Sequence, residues 1–104
     1  MTRKEKQRLE YLAQTFKALS HPARLWIVEF ILDGERCVHE LVEGLDLNFS
    51  TVSQHLSVLK QAGIIEDDKR GKNVYYRIKA DCMKTLIGCL EEGIRKSRYE
   101  DGIT

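Results

Sequence analysis

The sequence predicts a mainly α fold completed by one small β-hairpin. Three observations predict it. Apolar side chains recur at helical spacing over much of the chain. A short helix, a tight turn and a second helix follow one another near the middle. Two short runs of β-formers then flank a polar stretch that contains a glycine. The 104 residues suit one domain, expected over 1–97, with 98–104 as a flexible tail.

Residues 4–19 read as the first helix, because Leu9, Leu12, Ala13 and Phe16 fall on one stripe. Ser20-His21-Pro22 ends it and opens the next, with Ser20 as the expected cap and Pro22 in the first turn. The second helix, 22–33, stops at Asp33-Gly34. It is apolar around nearly its whole circumference from Leu25 to Leu32, so it is expected to be buried at the centre of the core. A short third helix, about 38–44, turns Val38, Leu41 and Val42 inward, followed by Leu45. Asp46-Leu47 forms the turn, Asn48 caps a fourth helix over about 49–62, and Gly63 ends it. Ile64-Ile65 and Val74–Ile78 read as a hairpin whose tip, Arg70-Gly71-Lys72-Asn73, is basic. Asp81 is the expected cap of a last helix, about 82–97, with the stripe Met83, Leu86, Ile87, Leu90, Ile94. Together these elements make a winged helix-turn-helix.

Charge and composition exclude several classes. The longest apolar stretch, Leu25–Leu32, is interrupted by Glu29 and is too short to span a bilayer. The chain begins polar, without a secretory apolar region, so the expected location is the cytoplasm. The net charge of +1 does not announce a nucleic-acid partner, but its distribution is uneven. Residues 48–79 hold six Lys/Arg against three Asp/Glu, whereas Asp33, Glu35, Glu40, Glu43 and Asp46 make 33–46 acidic.

The fourth helix carries the functional signal. Val52, Leu56 and Leu59 share one face and anchor it. The opposite face presents Ser50, Gln54, Ser57 and Gln61, flanked by Ser53 and Lys60, and no Asp or Glu occurs from Asn48 through Gly63. Small hydroxyl and amide side chains are the groups that read base edges in a major groove. An ordinary solvated helix face is the competing account, but such faces usually favour Glu and Lys. Lys69, Arg70 and Lys72 around the hairpin turn can reach a phosphate or a minor groove; a merely solvated basic turn is the alternative. The expected contacts to double-stranded DNA are therefore Asn48, Ser50, Thr51, Ser53, Gln54, His55, Ser57, Lys60, Lys69, Arg70 and Lys72. His55 lies near the core edge by periodicity, so it either contacts DNA or packs.

Three segments carry a family resemblance: Phe16-Lys-Ala-Leu-Ser-His-Pro-Ala-Arg-Leu25, Val52-Ser-Gln-His-Leu-Ser-Val-Leu-Lys-Gln-Ala-Gly63, and Arg70-Gly-Lys-Asn-Val-Tyr-Tyr-Arg77. In this order and spacing the chain resembles the ArsR/SmtB repressors over about residues 9–95. The resemblance implies a homodimer that sits on operator DNA and leaves when an inducer binds. It also implies that Ser50, Ser53, Gln54 and His55 occupy recognition-helix positions. A homodimer is expected on independent grounds, because the first and last helices carry more apolar stripe than a helix-turn-helix core can cover. A twofold dimer would place two recognition helices about one DNA turn apart, over a palindrome.

The cysteines Cys37, Cys82 and Cys89 are odd in number, which argues against a disulfide framework. Metal-responsive relatives often carry Cys-Val-Cys where this chain has Cys37-Val38-His39. That substitution suits zinc or another borderline-soft ion better than arsenite. Both groups can face one ion only if Cys37 is extended ahead of the helix. Cys82 and Cys89 share a face about 10 Å apart, so only a partner subunit could bring them together. The zinc site that the resemblance places on the last helix needs a histidine there, and none follows Asp81 and Cys82. A thiophilic metal or metalloid inducer at Cys37, His39, Cys82 or Cys89 is the leading expectation, thiol oxidation its alternative, and plain burial of small thiols the third. An enzyme is not expected: Cys37 and His39 lack an acid orienter and a glycine-rich loop. A protein-interaction module without DNA binding is the remaining class, and the acid-free helix face speaks against it.

Overall fold

The computed structural model describes residues 1–99. Its elements run α1 Arg3–Leu19, α2 Pro22–Leu32, β1 Arg36–Cys37, α3 Val38–Leu45, α4 Phe49–Gln61, β2 Ile65–Arg70, β3 Asn73–Ile78 and α5 Met83–Ile94, followed by a π-helical turn, Arg95–Tyr99. The α-helical part of the last helix thus ends with its apolar stripe at Ile94, short of the expected 97, and the chain continues as the π turn. The expected tail begins inside the π turn, and its residues 100–104 lie outside the described residues.

The ends of the helices follow local chemistry, in places differently from expectation. The α1 helix starts with a reciprocal capping box between Thr2 and Glu5. Ser20 does not cap α2. Its hydroxyl donates to the Lys17 carbonyl and closes α1, and His21 takes the capping role by accepting from the Ala23 N–H through Nδ1 (3.1 Å). Asn48 caps α4 as expected, its Oδ1 accepting from the Thr51 N–H at 2.8 Å. Asp81 does not cap α5; Cys82 holds that place without a side-chain bond. Asp46, with φ 53°, takes the left-handed conformation that Asp tolerates and makes the turn between α3 and α4 tight.

The core consists of Ala18 and Leu19 of α1, Ile27, Val28 and Ile31 of α2, Val38 and Leu41 of α3, Val52, Leu56 and Leu59 of α4, and Ile64, Ile65 and Met83 beyond them. The second helix is less enclosed than its all-round apolar character suggested. Trp26 remains 36% exposed and packs on Phe30, with ring centroids 4.8 Å apart. Both rings line an open groove of about 500 Å³ facing Ile87 of α5.

The sheet is larger than a hairpin. Strand order is β1-β3-β2, all antiparallel, with Cys37 opposite Tyr75 and Ile65 opposite Ile78. The polar run 66–70, read from sequence as the stretch between strands, is itself most of β2. Arg70 pairs with Asn73, so the turn is only Gly71-Lys72, and Gly71 supplies the positive φ (61°) such a two-residue turn requires.

Candidate nucleic-acid interface

Helix α4 stands on its buried face. Val52 and Leu59 are fully buried and Leu56 nearly so, which fixes the rotation of the helix about its axis. The same rotation exposes Ser50, Ser53, Gln54, Ser57, Lys60 and Gln61. Phe49, Ser50, Ser53, Gln54 and Ser57 line one shallow depression of about 360 Å³. It contains no carboxylate, so nothing there repels a phosphodiester, and its hydroxyls and amide both donate and accept. Asn48 is exposed, but its carboxamide oxygen serves the helix end, and Thr51 is half-buried.

His55 is half-buried on the flank of α4, tilted against His21 with ring centroids 4.5 Å apart. Burial, and then the charges of His21 and Arg24, hold its imidazole below the ordinary value. This placement packs His55 between the start of α2 and α4 and leaves part of its ring exposed.

The wing differs from its sequence reading. Arg70 is not a free cation at the tip: Nη1 lies 2.8 Å from Glu35 Oε2, Nε 2.9 Å from Asp68 Oδ2, and the guanidinium sits over the Tyr75 ring. Arg77 bonds Glu66 at 2.8 Å and reaches Glu35 at 3.5 Å. The Arg70 guanidinium bonded to Glu35 holds that carboxyl below the usual carboxylate range. The acidic segment and the basic hairpin, separate in sequence, therefore partly neutralise one another in space. Lys60 is likewise bonded to Asp67 at 2.9 Å, and that bond raises its pKa. Lys69 and Lys72 are exposed, and among the described residues no acid lies within ion-pair distance of either.

The thiol positions are dispersed. Cys37 is half-buried and extended (φ −86°, ψ 162°), the geometry that a shared site with His39 requires; Glu40 accepts from its backbone N–H. His39 is exposed. Cys82 and Cys89 are both exposed on or beside α5. Among the described residues no group of three or more His, Cys, Asp or Glu side chains is placed to hold a metal ion.

The surface left by folding is also informative. Leu9, Leu12 and Phe16 of α1, and Leu90 and Ile94 of α5, are exposed, Leu90 and Phe16 by more than half. No helix among the described residues is long and apolar enough to cross a membrane.

Comparison with known proteins agrees with this geometry. The model of the ArsR family of bacterial regulatory proteins matches residues 21–67, from the start of α2 into β2. The chain is 40% identical over 70 residues to the HTH-type transcriptional repressor SmtB of Mycobacterium tuberculosis, covering 67% of this chain and only about half (52%) of that repressor's length. It is 38% identical over 84 residues to the biofilm growth-associated repressor of Agrobacterium fabrum, covering 81% of this chain and 72% of the relative. Among solved structures, the homodimeric winged helix-turn-helix DNA-binding domain of a possible ArsR-family regulator from Mycobacterium bovis superposes with a TM-score of 0.84 at 27% identity. That match covers 93% of this chain and 90% of the other. With its acid-free α4 face, its three-stranded wing and these relatives, the chain belongs to the ArsR family of winged helix-turn-helix transcriptional regulators.

Proposed function

We propose that this protein is a cytoplasmic transcriptional repressor that binds a palindromic operator as a homodimer. The observation that carries the reading is the outward strip Ser50, Ser53, Gln54 and Ser57, free of carboxylates and held out by buried Val52, Leu56 and Leu59. In a major groove Gln54 would pair with an adenine edge, and the serines would donate to bases or phosphates. Lys69 and Lys72 of the wing supply phosphate contacts. The dimer is supported by the exposed stripes of α1 and α5 and by the homodimeric relative.

Release from DNA is assigned to a thiophilic agent, a metal ion or an oxidant, acting at Cys37 with His39, or at Cys82 and Cys89. Three free thiols support this, two of them exposed, Cys82 at the start of α5 and Cys89 within it. Oxidation has the simpler requirement, because two thiols suffice where a metal needs further donors.

The test is a DNA-binding titration on the protein's own upstream region, read by fluorescence anisotropy. Reduced wild-type protein should bind at low salt and lose affinity steeply as salt rises. Gln54→Ala with Lys72→Ala should reduce specific binding by about 1–3 kcal/mol or more, the cost of one lost base contact or above. Addition of zinc, cadmium or a mild oxidant should release the wild type, and Cys37→Ser or Cys82→Ser should blunt that response. No shift of this DNA by the reduced wild type at low salt would refute the repressor reading.

A further inference from the structure

Arg24 is the unexplained cation of this fold. It lies in the first turn of α2, half-buried, and its Nε is shut off from solvent with no hydrogen-bond partner among the described residues. A guanidinium can only donate; Nε is too enclosed to be reached from outside, whereas the terminal nitrogens, likewise without a hydrogen-bond partner among the described residues, are the ones open to a ligand. The arginines of the wing behave oppositely, since each is bonded to two acids.

The Arg24 side chain lines a cavity of about 360 Å³ between the C-terminal half of α1, the start of α2 and the last turns of α4. Lys17, Gln14 and Gln61 line it as well, and the rest of the wall is small and apolar. No carboxylate lines it. Among the described residues neither Lys17 nor Arg24 has an acid within ion-pair distance. Two cations and two carboxamides thus converge on a space that lacks an anion. The uncompensated charge is felt nearby, as Arg24 is one of the groups that disfavour the charged form of His55.

We infer that this cavity is a phosphate-binding site. A planar guanidinium matches the oxygens of a phosphate as a fork, the ammonium adds a point charge, and the carboxamides add neutral donors. Gln61 belongs both to the cavity wall and to the outward strip of α4. A phosphate bound here therefore sits at the margin of the surface assigned to the duplex. Its source is a backbone phosphate flanking the groove, which rests on the repressor reading, or a free phosphate ion.

Lys17→Gln tests the site without disturbing the fold, because Lys17 is exposed. Arg24→Gln, with folding checked by circular dichroism, is the second variant. Binding to an operator duplex and to an unrelated duplex is measured over a salt series. In parallel, inorganic phosphate is titrated into DNA-free protein while the side-chain NMR signals of Arg24 and Lys17 are followed. A backbone phosphate predicts that either variant weakens both duplexes by the same factor and lowers the salt slope by about one. A free phosphate predicts that inorganic phosphate shifts the wild-type signals, that Lys17→Gln abolishes the shift, and that the salt slope is unchanged. If the wild type binds DNA but both variants match it in slope and no signal responds to phosphate, the site does not exist. If the wild type binds no duplex, the repressor reading fails separately, and the phosphate titration alone decides the site.

Discussion

His55 shows how one residue's role depends on what stands beside it. The helical period places it at the edge of the buried face of α4, where contact with DNA and packing are both available. Only the fold brings His21, from a different helix boundary, to 4.5 Å. Burial and the adjacent charges depress the His55 pKa, so the unfolded chain takes up a proton first as pH falls below the ordinary histidine value of 6.5. In that window the unfolded state binds more protons. Stability is therefore fully present above the ordinary value and is lost as pH falls toward the depressed one. Urea midpoints should drop across this range, and His55→Gln should flatten the decline. The serines and Gln54 were legible from sequence because their exposure follows from Val52, Leu56 and Leu59 alone. His21 was not, because the ring it packs on lies on another helix, and neither was Arg24, because its lack of an acid partner depends on what every neighbouring element brings to it.

At the scale of elements, the caps and turns were largely readable where the signal is local. Asn48 at the start of α4, and the glycines at 63 and 71, act on their own backbone neighbours. Asn48→Ala should cost about 0.5–2 kcal/mol, measured by chemical denaturation, and weaken DNA binding because Ser50 and Thr51 lie in the turn it secures. Asp81 and Ser20 were misread because several adjacent residues could cap, and tertiary placement of the chain ends chose among them. The wing was the larger surprise. Its first strand looks like a polar loop in sequence because Glu66, Asp67, Asp68 and Lys69 have little β preference. Pairing with β3 and ion pairs across the sheet override that preference. Glu35→Gln should release part of Arg70 and remove a negative charge beside the wing. Affinity for operator and unrelated DNA should both rise, and the salt slope should steepen by about one. A fall in affinity would show that the Glu35–Arg70 pair positions the wing instead.

The whole molecule is wide and thin, 45 × 44 × 22 Å, with a radius of gyration of 15.7 Å where a compact chain of this length has about 13 Å. Apolar stripes stay exposed on the first and last helices among the described residues, and the proposed homodimer would cover them. Leu90→Glu should yield a folded monomer by sedimentation, since Leu90 is 56% exposed within one chain, and operator affinity should fall with dimerisation. The helices, the turn between α3 and α4, and the acid-free strip are set by spacing along the chain, because each depends on residues within a turn or two of one another. What only the tertiary structure decided is the fate of the charges: Arg70 paired with Glu35 and Asp68, Arg77 with Glu66, Lys60 held by Asp67, Arg24 left without a partner. Coulombic pairing depends on distance through space, and residues 35 apart in sequence, such as Glu35 and Arg70, become neighbours only when the sheet forms.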